Sequence, residues 1–398
     1  MISPDFCILP FIHLDIQPNG EVSACCHSTE RTILGNLHQQ DLLEIWNSPN
    51  SLKMRELFRN GHGRKYAHCQ SCYAMEDIGV TSKRQRENDN WKAVESELQD
   101  QNLHPKLPIS LAIRFSNLCN LACRSCKPSA STGWFQDAKF LNPKGTYVRA
   151  FSAPKDKPLT EQIRPFASKL KHVYFSGGEP LLEEEHYQLL KLLTDVNPGI
   201  NIAYDTNLTV LGLGNQSVFD YWPQLKRLYI SMSCDGHGER GEYIRKGFSW
   251  QQFLSNWQEV RSKVPHARMS LSFTLGIYNS LLLTDFLEEV IKLKLLDKMD
   301  YFNFEHIEVP LWQSLQVMPL EMKKVVAQKY RVFLKKYPDP YLIKKLEDTI
   351  SYMMAVDHSE LLPKFRNFTT QIDLLRGESF HKLFAEESSL LGPWPQKT

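Results

Sequence analysis

The sequence predicts an α/β protein of parallel β/α units, with a small cysteine-rich segment before them and a helical segment after. Three observations carry this. Between residues 109 and 304 strand-like runs alternate with helical ones, an order that gives parallel sheets. Five of the nine cysteines fall within the first 80 residues, and three more lie between 119 and 126. From Pro319 onward apolar residues recur at helical spacing. The organisation read from this is a cysteine-rich segment, 1–80; a linker, 81–107; a core, 108–310; and a helical extension, 311–398.

In the first segment Phe11 to Ile16 is strand-like, Pro18-Asn19-Gly20 signals a turn, and Glu21 to Cys25 returns as a second strand. Such a hairpin carries Cys25 back towards Cys7. Two short helical stretches, Asp41 to Trp46 and Ser51 to Phe58, then lead to Cys69-Gln70-Ser71-Cys72. A C-x2-C knuckle with two hairpin cysteines supplies four thiolates, enough to close one iron–sulfur or zinc site. His13, His27, His62 and His68 share the region and could replace a thiolate on zinc, although a surface or core role is the ordinary one. The linker is polar and charged, densest at Lys83 to Asn90, and reads as helical or loosely ordered.

In the core the strand-like runs are Ile109 to Phe115, His172 to Phe175, Asn201 to Tyr204, Leu228 to Ser231, Met269 to Leu275 and Tyr301 to Phe304. Helical spacing covers Glu183 to Val196 and Asp285 to Leu296, and Ser249 with Gln252 makes a capping-box start for another helix. Residues from about 140 to 160 read as a loop. The extension holds helices from Glu321 to Tyr337 and Asp339 to Val356, and an amphipathic stretch from Ile372 to Phe380.

Composition bounds the function. The 398 residues, 42% of them hydrophobic, have room for one large domain and one or two small ones. Lys and Arg number 47 against 45 Asp and Glu, so no broad basic surface for nucleic acid is expected. The N-terminus has no basic region followed by an apolar run, and nothing approaches membrane-spanning length, so no membrane partner and a cytoplasmic location are expected. An odd number of cysteines in such a chain suits metal ligands better than disulfides.

The chemistry centres on Cys119, Cys123 and Cys126. Three thiolates at C-x3-C-x2-C spacing on one loop can bind three corners of a cubane cluster, and no fourth cysteine follows nearby, so one iron stays open to an external ligand. A partial zinc site, or three core cysteines, is the plainer alternative. Further on, Val173 to Pro180 runs as a strand into Ser176-Gly177-Gly178-Glu179-Pro180. The two glycines let the backbone approach a ligand, and Glu179 can accept hydrogen bonds from an ammonium group.

These two runs resemble the cluster-binding and GGEP motifs of the radical S-adenosylmethionine (SAM) superfamily, in which the open iron is chelated by the amino and carboxylate groups of SAM. The resemblance implies a partial (β/α)6 barrel with chemistry at the C-terminal ends of its strands, as in full barrels. It implies that Cys119, Cys123 and Cys126 hold a catalytic [4Fe-4S] cluster. SAM is then bound by Phe115, Gly177, Gly178, Glu179, Asn207, Ser231, Ser233 and Arg245. Asn207 is similar to the family's T-N element, and Ser231 to Gly236 to its S-x-D-G turn, the equivalent serine being ambiguous. Tyr243 to Gly247 resembles a Y-I-R-x-G stretch, and an arginine fork can hold the SAM carboxylate. Cys234, in the turn, is a minor candidate for a radical relay, and His306 and Glu308 for proton transfer.

Residues 1–80 resemble the auxiliary-cluster domains called SPASM and twitch. Gly20 to Cys25 matches their G-x4-C, which implies Cys7, Cys25, Cys69 and Cys72 as ligands of a second, auxiliary iron–sulfur cluster, with Cys26 spare. No further cysteine follows Cys72 in this segment, so a single cluster is implied, and the domain here precedes the barrel it usually follows. Reductive cleavage of SAM and hydrogen abstraction from a peptide or protein is the implied activity, with flavodoxin or ferredoxin as reducing partner. A small-molecule dehydrogenase acting on a sugar or aminocyclitol, or a non-catalytic metal-binding protein, is the alternative.

Overall fold

The structure, a computed structural model, describes residues 3–26, 33–100 and 105–394. A single helical turn, α1 (Leu9–Ile12), with Pro10 in its first turn, precedes strand β1 (His13–Ile16), so the strand expected from Phe11 starts two residues later. β2 (Glu21–Ser23) returns antiparallel to it, with Asp15 opposite Ser23, and β3 (Gly35–Asn36) pairs with β2. Helices α2 (Leu42–Trp46) and α3 (Pro49–Arg59) follow; Ser48 caps α3 by accepting from Ser51 N at 3.3 Å. α4 (Gln70–Asp77) starts inside the C-x2-C knuckle. The linker is helical: α5 (Lys83–Asn90), opened by a Ser82/Gln85 capping box, and α6 (Lys92–Asp100).

The core opens with β4 (Ser110–Ile113), the two-residue strand β5 (Ala122–Cys123) and α7 (Phe135–Leu141). Residues 142–157 hold no helix or strand, as expected. Next come α8 (Leu159–Ile163), β6 (His172–Phe175), α9 (Glu184–Val196) and β7 (Asn201–Thr206). A small hairpin of β8 (Gly212–Leu213) and β9 (Gln216–Ser217) leads to β10 (Arg227–Ser233). Then follow α10 (Gly238–Ile244), β11 (Arg245–Lys246), α11 (Trp250–Lys263), β12 (Arg268–Leu275), α12 (Leu282–Leu293) and β13 (Phe302–His306). The Ser249 cap on α11 is present, accepting from Gln252 N at 3.3 Å.

The extension is helical: α13 (Leu320–Lys336), α14 (Pro340–Ala355), α15 (Leu362–Arg376), α16 (Phe380–Leu383) and α17 (Ala385–Leu390). The amphipathic stretch expected from Ile372 to Phe380 is not continuous. Gly377, at φ +65°, ends α15 in the left-handed conformation that favours glycine, and Phe380 starts a separate helix. No helix among the described residues is long and apolar enough to cross a membrane.

The chain falls into two compact units. The first comprises residues 1–118, 149–205 and 211–228. In it β1, β4, β6 and β7 lie parallel in that order, registered His13 to Ser110 to His172 to Asn201. The N-terminal hairpin therefore continues the sheet of the core, with Ile109 N donating to Ile12 O at 2.9 Å. Its core includes the stacked rings of Phe115 and Phe175, with His186, Tyr204 and Trp222 packed around them. Each fully buried ring of this kind stabilises the fold by about 1.5–3 kcal/mol.

The second unit comprises residues 119–148, 206–210 and 229–398. Within it β10, β12 and β13 run parallel, with Met232 opposite Leu271 and Leu271 opposite Phe302. Phe273, Phe286 and Phe302 cluster beneath these strands, and Tyr330 of α13 donates to Ser280 O at 2.8 Å.

Candidate metal centre and active site

Cys7 lies just before α1, Cys25 just after β2, Cys69 directly before α4 and Cys72 in its first turn. These four line one small pocket with Met54, Phe58 and Arg84, whereas Cys26 is exposed and lies outside it. Burial pushes the Cys7 and Cys69 thiols up to about 12, because the apolar pocket penalises the thiolate. Metal binding would reverse that, since a bound cation is the largest local charge. Among the described residues no three His, Cys, Asp or Glu side chains converge as they would on a single ion. A cubane cluster takes its thiolates one to each iron, and so does not gather them on one ion.

Of the histidines considered as ligands, His13 bonds Ser110 Oγ through Nδ1 at 2.8 Å, and His62 is exposed. His27 lies outside the described residues. Arg84, from the linker helix α5, forms a buried ion pair with Glu76 and donates to Pro4 O at 2.8 Å.

The second cysteine set is built differently. Cys123 sits on β5, which pairs antiparallel with β11 so that Cys123 is opposite Arg245. The main chain is then held residue by residue. Cys123 O accepts from Trp134 Nε1 at 2.8 Å and from Cys126 N at 2.9 Å, and Cys119 N donates to Thr132 Oγ1 at 3.2 Å. Donors face the Cys119 sulfur: Leu121 N at 3.5 Å and Asn207 Nδ2 at 3.9 Å. Such N–H···S contacts are among the determinants of a cluster's potential. Asn207 is fixed in turn by Asn120 Oδ1 at 3.0 Å and by Thr209 N and Oγ1 at 2.9 and 2.6 Å.

Arg245 is buried beside this loop, with Nη1 on Asp235 Oδ2 at 2.9 Å, and its Nε has no protein partner. Asp235 Oδ1 accepts from Thr274 N at 2.8 Å, so both carboxylate oxygens of Asp235 are engaged within the protein. Burial pushes the Cys123 thiol up to about 12, with the Arg245 charge acting against it. Three thiols beside a buried guanidinium, with one N–H left over, suit an anionic cluster and an anionic ligand group.

In the first unit, Gly177 (φ +118°), Gly178 and Glu179 follow β6. Glu179 N donates to Leu118 O at 2.7 Å, and a Cβ on Gly178 would fall inside van der Waals contact with that same carbonyl. This turn therefore packs its backbone against the residue preceding Cys119. Glu179 is buried and its Oε1 accepts from Leu181 N at 3.1 Å. The Phe115 side chain is committed to the Phe175 stack, and its carbonyl accepts from Ser152 N at 2.8 Å.

Ser231 is buried opposite Ser270, and Ser233 is half-buried opposite Ser272. Cys234 is buried, donates to Gly236 O at 3.1 Å, and has its thiol pushed up to about 12 by burial. His306 is taken up by α14, with Nε2 on Thr349 Oγ1 at 3.0 Å and its ring stacked on Tyr352; Glu308 is exposed.

Sequence reading missed Asn120, Thr132, Trp134 and Arg124. Arg124 stands between two cluster cysteines and was visible as a charge, but its partners lie some 250 residues away in sequence.

A family model for the SPASM iron–sulfur cluster-binding domain matches residues 7–73, and one for the radical SAM superfamily matches residues 113–305. Two GTP 3′,8-cyclases are similar over 122 residues. That of Sulfurimonas denitrificans is 30% identical over 31% of this chain and 34% of its own length; that of Sulfurovum sp. is 26% identical over 31% and 33%. The chain thus spans about a third of the length of the curated relatives it matches. Among solved structures, anSMEcpe with bound AdoMet and Cp18Cys peptide is 18% identical, with a TM-score of 0.40 over 61% of this chain and 62% of that one. Streptococcus suis SuiB bound to S-adenosylmethionine is 13% identical, with a TM-score of 0.38 over 84% and 70%. The chain belongs to the radical SAM superfamily, an α/β protein with an N-terminal SPASM domain before its radical SAM domain and helices after it, and these domains imply a [4Fe-4S] cluster, SAM and an auxiliary iron–sulfur cluster as its cofactors.

Proposed function

We propose that this enzyme reductively cleaves SAM and abstracts a hydrogen atom from a peptide or protein substrate, with the auxiliary cluster assisting electron transfer. The observation that carries the reading is the pairing of two cysteine sets of different kind. Cys119, Cys123 and Cys126 make a three-thiol loop flanked by polar groups, and Cys7, Cys25, Cys69 and Cys72 make a four-thiol apolar pocket. Three thiolates leave one iron for SAM; four leave none.

When bound, the core cluster supplies the electron that splits SAM into methionine and a 5′-deoxyadenosyl radical. The protein's part is to bind, orient and exclude water. Arg245 offers a buried N–H to a carboxylate, and Asn207 and Leu121 hold the Cys119 sulfur in place. Gly177, Gly178 and Glu179 would offer backbone and a carboxylate to the ammonium of SAM, and Phe115, stacked on Phe175, belongs to the same unit. Ser231 and Ser233 line the end of β10 for the ribose.

No disulfide joins any of the nine cysteines among the described residues, which fits a reducing cytoplasmic setting and a flavodoxin or ferredoxin as electron donor. The peptide reading rests on the auxiliary domain, a feature of many peptide-modifying members of the superfamily. A second reading, a small-molecule substrate, is favoured by the similarity to GTP 3′,8-cyclases.

The test is anaerobic reconstitution with iron and sulfide, then assay of 5′-deoxyadenosine under reduction, in wild type, Cys126→Ala and Cys72→Ala. Stimulation of the wild type by the protease-sensitive macromolecular fraction of a cell extract supports a peptide substrate. Stimulation by the low-molecular-weight filtrate alone refutes it. Wild type that binds zinc and leaves SAM intact refutes the radical mechanism altogether.

A further inference from the structure

The helical extension lies outside both matched stretches, yet it supplies the partners of the cluster-loop main chain and of the charge embedded in it. The carbonyl of Ala122 accepts from Arg376 Nη2 at 2.8 Å, and that of Arg124 from Gln313 Nε2 at 2.9 Å. Arg124 itself, between Cys123 and Cys126, is fully buried and turned towards the extension. Its Nη2 lies 2.6 Å from Asp373 Oδ1 and 2.8 Å from Glu378 Oε2, and its guanidinium stacks on Tyr243 at 3.7 Å.

Asp373 is the hub of this arrangement. Its Oδ1 also accepts from Tyr243 OH at 2.7 Å and its Oδ2 from Phe380 N at 2.6 Å. Arg376, one turn further along α15, forms a second buried pair with Asp137 at 2.5 Å and stacks on Trp134, whose indole N–H holds Cys123 O. Ala122 and Trp134 pack with Ile372 in one apolar cluster, against which the Cys126 side chain and Phe368 rest.

We propose that Asp373 and Arg376 are positioning residues for the cluster: through Arg124, Trp134 and the Ala122 carbonyl, the extension fixes the loop that presents Cys123 and Cys126. The proposal rests on the reading that these cysteines hold the SAM-binding cluster, and it adds a role for a segment to which the family match assigns none. The physical reason is that a guanidinium with no access to water needs its carboxylates in place. If Asp373 is neutralised, Arg124 must find other partners and will drag the two cysteines that flank it. Outer-shell groups of this kind typically matter about 10- to 100-fold to metal affinity or activity.

The test uses the full chain, reconstituted anaerobically, in wild type, Asp373→Asn, Asp373→Glu, Arg376→Lys and Cys126→Ser. Iron and sulfide per chain, the electron paramagnetic resonance spectrum with and without SAM, and 5′-deoxyadenosine formation are measured on each. Expected for Asp373→Asn is a loss of about 10- to 100-fold in SAM cleavage, with a changed core-cluster signal and an unchanged auxiliary signal. Asp373→Glu, which keeps the charge, recovers part of both. Arg376→Lys, which keeps a charge beside Asp137 but loses the fork onto Ala122 O, shows the same selective change should Asp373→Asn not fold.

Wild-type spectra and rates in both Asp373→Asn and Arg376→Lys overturn the proposal while leaving the cluster assignment standing. Equal loss of both cluster signals in the folded variants also overturns it, because that marks general destabilisation. Cys126→Ser with wild-type iron overturns the cluster assignment itself, and the proposal with it.

Discussion

The two cysteine sets of this chain hold their thiols by opposite means. The N-terminal set brings Cys7, Cys25, Cys69 and Cys72 from separate short elements to a pocket that the buried Met54 and Phe58 also line. The core set puts three cysteines on one loop and fixes that loop by hydrogen bonds to its main chain, with polar groups at the sulfurs. On the proposed function the first stores or passes an electron without admitting a ligand, its four thiols being matched by no polar side chain in the pocket lining other than Arg84. The second is suited to react, because its donor set is one short and its surroundings are polar. What separates a sealed from a reacting centre here is the completeness of the thiol set and the polarity around it.

The largest effect that could break the comparison is at the cysteines. Cys126→Ser is expected to abolish 5′-deoxyadenosine formation and to remove the core cluster's iron. Cys72→Ser is expected to remove the auxiliary iron while SAM cleavage persists. Both are read from iron analysis and product assay, and equal loss of cleavage in the two variants would show that the centres are not separable.

Gly178→Ala is next. It drives a methyl into the Leu118 carbonyl next to the core loop, at a cost of about 1–3 kcal/mol for overpacking. Gly199→Ala, where an added Cβ meets nothing within 4 Å and φ is ordinary, should leave the melting temperature unchanged. Thermal melts of the two variants check the difference.

Acid should weaken the first unit through His186. Burial lowers its pKa to about 3, below the usual value near 6.5, and its Nε2 shares a hydrogen bond with Tyr204 OH at 2.9 Å. The folded state therefore resists protonation that the unfolded state accepts. Its stability is complete above pH 6.5 and falls as pH drops from there towards 3, by about 2 kcal/mol between 6.5 and 5. Denaturant midpoints against pH should show at least that slope, and His186→Phe should reduce it, leaving the part due to His13 and His172, whose pKa values burial also lowers.

The smallest effect sharpens the contrast at the sulfurs. Asn207→Ala removes a weak donor from Cys119 and the tie to Asn120, and is expected to lower the core cluster's potential. It should slow SAM cleavage about tenfold and leave the auxiliary potential alone, as spectroelectrochemical titration of both centres would report.

Much of this was legible because it is local. Strands His172–Phe175 and Asn201–Thr206 are short β-rich runs between turn signals, and the Ser249 cap is a three-residue pattern. The three-cysteine run stood out by spacing, and the four N-terminal cysteines, chosen by resemblance, line one pocket. What stayed hidden was every pairing across long sequence separation. Arg124 reads as one more basic residue until Asp373 and Glu378 arrive beside it from the far end of the chain. The stack of Phe115 on Phe175 is likewise a packing choice that spacing cannot express. Arg245 and Asp235 were both noticed, yet their ion pair was not, because helix α10 between them decides which way each side chain points.

The parallel seam between β1 and β4 has a consequence for how the chain is made. His13 and Ser110, bonded across that seam, are 97 residues apart, so at ribosomal rates of about 5–20 residues per second the first strand waits about 5–20 s for its neighbour. During that interval the hairpin has a bare edge, and the loop to be closed is long. The four thiols of the N-terminal pocket all emerge before β4 does. Metal capture during translation would give the nascent hairpin a fixed shape on which the rest of the sheet is laid down. Conversely, a truncation that removes the first 80 residues strips β4 of its partner on that side, leaving it paired with β6 alone and its other edge open to association with other chains.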